Sequence, residues 1–146
     1  MKLQCEVSMN YKSFSGEDFT AFREMSDTRP LNMLNLVKVF STVEYPDGEV
    51  ISGVEAYKRY GRLSYPIFEK LGGKIIWRGE MLLSLIGPSD ENWDFCFIAE
   101  YPSAEAFVSM VKDPDYREAM KHRQISVEDS RLIRMAPLSS GKNFSE

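Results

Sequence analysis

The sequence predicts an α+β domain with the order strand, helix, strand, strand, helix, strand and an additional helix in front. Three observations lead there. A central stretch, "PLNMLNLVKVF", is apolar in both of its alternating sets; two longer segments repeat apolar residues at helical spacing; and further alternating or aromatic-rich runs flank the second of these. The chain of 146 residues falls within the size of one domain and can bury a core without disulfides or metal.

The elements follow in order. In "SFSGEDFTAFREM", Ser15 and Asp18 have S-x-x-D capping spacing, and Phe19, Phe22 and Met25 then share one helical face. Residues 30–40 set Met33, Val37 and Val39 on one side of a strand and Leu34, Leu36 and Phe40 on the other, the pattern of a strand covered on both faces. "EYPDG" at 44–48 supplies turn residues. Ser52 and Glu55 form a capping box for a helix beginning at Gly53, whose packing stripe is Tyr57, Tyr60, Ser64, Ile67, Phe68 and Leu71. Pro66 removes a donor from that helix and predicts a kink or break, and "LGGK" ends it.

"KIIWRGEMLLSLIG" reads as a strand bent or turned at Gly79, and "WDFCFIAEY" as a strand carrying Trp93, Phe95, Phe97 and Tyr101. Ser103 opens a helix packing through Phe107, Met110 and Val111, and Asp113-Pro114 restarts helical structure as N-cap and first residue. "DSRLIRMAPL" is the last strand. The completed order is βαββαβ, the ferredoxin-like pattern. It divides the chain into an N-terminal extension at 1–29, a ferredoxin-like domain at 30–138 and a polar tail at 139–146.

Composition narrows the functions. With 43% hydrophobic and 27% charged residues, a formal charge of −4 and no basic block interleaved with aromatics, the chain is expected to bind neither nucleic acid nor membrane. The N-terminus lacks the long apolar core of a signal peptide, so a cytoplasmic protein is expected, with Cys5 and Cys96 as free thiols. No zinc, nucleotide or serine-hydrolase motif occurs, and with one histidine in the chain neither a metal centre nor a cofactor is expected.

The candidate site residues each carry two readings. On the helix "DPDYREAMKHR", Tyr116, Ala119, Met120 and Arg123 share the inward face while His122 falls on its flank. Arg123 either pairs with a carboxylate of the protein, with Asp94 as one candidate, or grips a ligand carboxylate. His122 is either an acid/base catalyst or the cationic complement of a helix C-terminus. Asn35, a carboxamide within an apolar strand, needs a partner: a loop backbone group, or a substrate carbonyl or oxyanion. The catalytic candidates are therefore His122 and Asn35. Tyr57, Tyr60 and Trp93 are core aromatics or the walls of a ligand pocket.

"NMLNLVKV", "YP", "SGVEAYKRYG", "LGGKIIWRG", "WDFCFIAEYPSAEAF" and "DPDYREAMKHR", in that order across roughly residues 30–135, resemble the DUF1330 family of the dimeric α+β barrel superfamily. The resemblance implies a ferredoxin-like protomer whose sheet faces that of a second copy, giving a homodimer with a small pocket in each half. Relatives of this architecture include cofactor-free monooxygenases of antibiotic biosynthesis, muconolactone isomerase, haem-handling enzymes and stress-responsive proteins, and fold does not choose among them. Two functions are expected to compete: binding of a small organic molecule without turnover, and cofactor-independent oxygenation or isomerisation of an aromatic or polyketide-like substrate. Dimerisation has separate support in the strand at 31–40, whose second apolar face the helices of a βαββαβ unit leave uncovered; the N-terminal helix is the rival cover.

Overall fold

A computed structural model describes residues 10–146. The elements are α1 (Gly16–Glu24), β1 (Leu31–Val39), β2 (Thr42–Glu44), β3 (Val50–Ser52), α2 (Gly53–Lys70), β4 (Lys74–Gly79), β5 (Phe95–Tyr101), α3 (Ala104–Lys112), α4 (Pro114–Ser126) and β6 (Val127–Met135). Four strands form one antiparallel sheet in the order β4-β5-β1-β6, the ferredoxin-like arrangement.

The anticipated caps are in place. Ser15, Ser52 and Ser103 each accept a hydrogen bond from the backbone N–H three residues on, and Asp113 caps α4 ahead of Pro114. Gly72, at φ +84°, ends α2 in a conformation that favours glycine. Gly53 has a different reason to be glycine: a Cβ there would stand 1.8 Å from the Phe40 carbonyl oxygen.

One expectation is extended and two are narrowed. The turn at 44–48 joins two short strands, β2 and β3, that pair with each other apart from the main sheet. Pro66 does not break α2, which runs on to Lys70; both Pro66 and Arg62, whose carbonyl loses its partner, lie on the solvent side, where water can satisfy that oxygen. The strand from Lys74 stops at Gly79 instead of turning back, because β4 is a sheet edge with no further strand to pair. Leu82, Leu83, Leu85 and Ile86 beyond it are exposed.

Strand β1 pairs on both sides and divides the molecule into two faces. Leu31, Met33, Val37 and Val39 point into the helical layer and are buried. Leu34 and Leu36 point the other way, beside Ile98 and Cys96 of β5 and Ile133 and Arg131 of β6. Helix α1 lies on the helical side, where Phe19 and Phe22 pack on the core around Phe107, and so leaves that second face uncovered. The helix-side core falls into two clusters, one around Leu31, Met33, Phe68 and Tyr116, the other around Val37, Val39, Tyr57 and Val127, with Tyr60 and Phe97 touching both.

The two residues at the start of α2 should respond differently to alanine. Ser52→Ala removes a cap and is expected to cost about 1 kcal/mol, whereas Gly53→Ala must push the Phe40 carbonyl aside and is expected to cost about 1–3 kcal/mol. Urea midpoints with unchanged slopes measure both; a Gly53→Ala protein as stable as wild type contradicts the close approach.

Candidate functional site

Between sheet and helices, against the larger of the two core clusters, lies a cavity of about 680 Å³ that is partly open to solvent. Asn35 forms part of its floor, on the helix-facing side of β1 between Met33 and Val37. Tyr57 and Tyr60 enter from α2 and Tyr116 and Arg123 from α4, while Ser130, Leu132 and Arg134 come from β6. Phe14, Phe19 and Phe22 close it from the N-terminal side. The lining is predominantly apolar and aromatic with a few polar tips, the usual constitution of a small-molecule site.

The polar tips are mostly donors. Tyr60 and Tyr116 share a hydrogen bond between their hydroxyls at 2.8 Å. Burial pushes the phenol pKa values of Tyr57, Tyr60 and Tyr116 upward, and the nearby Arg123 charge only partly opposes the shift. These groups therefore remain protonated at neutral pH. The Asn35 amide donates one of its two N–H groups to the Met33 carbonyl of its own strand at 3.0 Å.

Among the described residues, Arg123 makes no ion pair with a carboxylate, the first of its two readings. Its guanidinium donates to the Lys12 carbonyl and, at 3.4 Å, to the Ser130 hydroxyl; neither partner is a carboxylate. Asp94 is engaged elsewhere: its side chain accepts from the Val39 N–H at 2.8 Å, and its own N–H donates to the Val37 carbonyl at 2.7 Å. These bonds extend the β1–β5 pairing beyond its last ladder residue and hold the carboxylate at the end of the sheet. Arg134 likewise donates to carbonyls, those of Phe22 at 2.9 Å and Asp27 at 3.4 Å, and covers the Phe22 ring.

The structure thus brings Asn35, Tyr57, Tyr60 and Arg123 together and leaves His122 and Trp93 outside the lining. His122 Nδ1 lies 2.7 Å from the Tyr45 hydroxyl, in the turn between β2 and β3. Arg59 stacks over the Tyr45 ring and grips Glu49 through a two-pronged contact at 2.7 and 2.8 Å. His122 therefore fastens the small hairpin to the helices. Trp93 precedes β5, with its ring beneath the Arg131 guanidinium, itself paired to Asp129.

Arg134, Ser130 and Tyr116 belong to the lining without having been singled out as ligand residues. Tyr116 was legible on the inward face it shares with Arg123; Ser130, Leu132 and Arg134 were legible as one parity of the last strand. Among the described residues, no group of three His, Cys, Asp or Glu side chains is placed to hold a metal ion, and no helix is long and apolar enough to cross a membrane.

Fold and cavity define a ferredoxin-like α+β protein with an internal pocket between sheet and helices. The chain belongs to the DUF1330 family, a domain of unknown function, whose model matches residues 50–135. The RPA0582 protein of Rhodopseudomonas palustris, described as a protein of unknown function, is 53% identical over 90% of this chain and 100% of that chain, with a TM-score of 0.86. The methylated RPA0582 protein gives 54% over 91% and 98%, with a TM-score of 0.87. Two more distant structures share the fold alone. A putative antibiotic biosynthesis monooxygenase of Bacteroides thetaiotaomicron is 15% identical over 80% of this chain and 97% of its own, TM-score 0.52. A dimeric ferredoxin-like protein of unknown function from Thermobifida fusca is 21% identical over 78% and 96%, TM-score 0.50. No curated protein matches the sequence.

The His122 contact has a pH signature. Burial first, and the Arg59 charge second, lower the imidazole pKa from its ordinary 6.5. Folding therefore favours the neutral ring: this contribution is complete above 6.5 and fades as pH falls from there through the lower folded value. The urea midpoint should drop more for wild type than for His122→Gln between pH 7.5 and about pH 5. Equal drops would contradict the assignment.

Proposed function

We propose that this protein binds a small organic carboxylate with an apolar or aromatic body in the cavity between sheet and helices, and does so without turning it over. Arg123 carries the reading: a guanidinium at the wall of an aromatic cavity, half-buried, whose partners among the described residues are a backbone carbonyl and a hydroxyl. A guanidinium offers five donors in a planar fork suited to two parallel bonds with a carboxylate, and two weak neutral acceptors leave much of that capacity unused. The protonated tyrosines add donors, and the phenylalanines at the N-terminal side supply the complement for the ligand's body.

The same inventory disfavours turnover. Asp18, on the exposed first turn of α1, is the sole carboxylate among the described lining residues, and His122 is engaged with Tyr45 outside the cavity. Proton abstraction at neutral pH needs a group ionised near that pH and within reach of the substrate, and raised phenols do not provide one. The monooxygenase or isomerase alternative consequently rests on likeness of fold, which does not specify chemistry.

The working unit of the proposal is a homodimer joined through the outer face of the sheet. Leu34, Leu36, Ile98, Ile133, Met135 and Trp77 form an apolar band there, with Trp77 51%, Ile133 45% and Met135 37% exposed. Such a contiguous patch calls for a partner. Asn32 lies on the same face, and its Oδ1 is buried without a hydrogen-bond partner among the described residues.

Calorimetry with benzoate, 4-phenylbutyrate and octanoate tests the ligand reading. Wild type should bind at least one of them, and Arg123→Met should lose at least about tenfold in affinity, the worth of a charge-assisted hydrogen bond, while the thermal midpoint of the unliganded protein stays close to wild type. Binding that survives Arg123→Met would remove this residue from the site.

Sedimentation equilibrium at micromolar concentration should give twice the 16.8 kDa of one chain, and Leu36→Lys should shift the mass to the monomer. A wild-type monomer would refute the shared sheet face.

A further inference from the structure

Residues 11–27 cross the N-terminal side of the cavity and supply Phe14, Phe19 and Phe22 to its lining. Their attachment is unlike that of any other wall. Among the described residues, no backbone-to-backbone hydrogen bond ties this stretch to the sheet or to another helix; its helix α1 bonds only within itself, and none of its residues is fully buried.

What holds it is a row of side chains reaching to its backbone. Asp129 accepts from the Tyr11 N–H at 2.8 Å, and the Ser130 hydroxyl donates to the Tyr11 carbonyl at 2.6 Å. Arg123 donates to the Lys12 carbonyl, and Arg134 to the carbonyls of Phe22 and Asp27. The rest is aromatic packing: Phe14 stacks on Phe19 at 5.0 Å, and Phe22 meets Phe107 at 5.1 Å. A segment held by a few side-chain tethers and the packing of three phenylalanines can open as a unit while the sheet and helices stay folded. The walls built by α2, α4 and β1 are held differently: α2 and α4 pack on each other and β1 is paired on both sides.

We infer that residues 11–27 are a lid that opens to admit the ligand of the cavity and closes over it, with Arg123 serving both as a latch to the Lys12 carbonyl and as the ligand's anchor. The lid rests on the reading of the cavity as a carboxylate site. In the closed state the Lys12 and Ser130 contacts fix the guanidinium, so its remaining N–H groups are oriented before the ligand arrives. The ligand's body then lies against the lid's phenylalanines, which couples occupancy to closure: whatever binds the closed form alone must suppress opening.

Trypsin reads the opening, because the lid contains the Lys12–Ser13 and Arg23–Glu24 bonds. With the full-length protein, 4-phenylbutyrate at about 100 times its Kd should slow both cleavages by at least ~10-fold, since cleavage follows the population of the open form. Hydrogen exchange of the peptide spanning residues 11–24 should slow in parallel. Asp129→Ala releases the Tyr11 tether from a residue outside the cavity lining. It should speed cleavage of the free protein and, in stopped-flow mixing, raise the association and dissociation rates of 4-phenylbutyrate together, leaving Kd within about twofold.

Cleavage and exchange that are unchanged or accelerated by a bound carboxylate would overturn the lid, as would an Asp129→Ala protein with wild-type rates. Should Asp129→Ala fail to fold, the wild-type protection experiment decides. Failure of the two readings separates cleanly: carboxylates that do not bind at all overturn the cavity assignment and the lid with it, whereas binding without protection overturns the lid alone.

Discussion

One polar residue in the central strand organises the interior. β1 buries Leu31, Met33, Val37 and Val39 against the helices, and between them Asn35 faces the same way with its amide turned back onto the Met33 carbonyl. A leucine or valine at that position would extend the apolar row and join the two core clusters. With Asn35 there, the clusters stay separate, bridged at Tyr60 and Phe97, and Asn35 lines the cavity beside the larger of them. Filling of such a gap is normally favoured by dispersion and apolar burial. Its persistence beside a carboxamide, tyrosine hydroxyls and arginines is what the proposed ligand site requires, since packing alone would call for none of these groups.

The electrostatics follow from the same gap. Burial keeps Tyr57, Tyr60 and Tyr116 as phenols, so the cavity gathers hydrogen-bond donors and positive charge while the chain as a whole carries −4. Local charge and net charge point in opposite directions here. An anion is repelled weakly by the molecule and attracted strongly at short range by Arg123, because a guanidinium against aromatic walls is poorly screened.

Periodicity made the secondary elements legible because each has a local signature. Ser52 with Glu55, Asp113 with Pro114, and the two apolar parities of residues 31–40 are local signals; the structure keeps them, though of the Ser52–Glu55 box only the Ser52 hydroxyl cap is formed, the Glu55 carboxylate lying toward Lys58. The missed hairpin β2–β3 has three-residue strands, too short for a repeat to show, and of the kink or break read at Pro66 the break does not occur, because a helix position alone does not reveal that the lost bond faces water. The site was legible in part. Arg123 stood out by its place on the helical wheel, but its partner did not, since the Lys12 carbonyl is a backbone atom 111 residues away in sequence. His122 and Arg123 are adjacent in sequence yet diverge by about 100° around the helix, enough to send one to the hairpin and the other to the cavity.

That divergence shows how a single helix turn can serve two ends of the molecule. From α4, His122 reaches Tyr45 and fixes the hairpin that precedes α2, while Arg123 reaches Lys12 and fixes the segment that precedes β1. Both attachments hold pieces of chain that the four-stranded sheet does not pair. They differ in what lies beneath. The hairpin keeps its own ladder and buries Val43, so its tether adds to an element already formed. Residues 11–27 have no ladder to the sheet and lie over the cavity and the edge of the core at Phe107, held by side-chain hydrogen bonds and aromatic contacts. Mobility in a protein concentrates where such contacts are few, and here that place coincides with the wall nearest the cavity's positive charge.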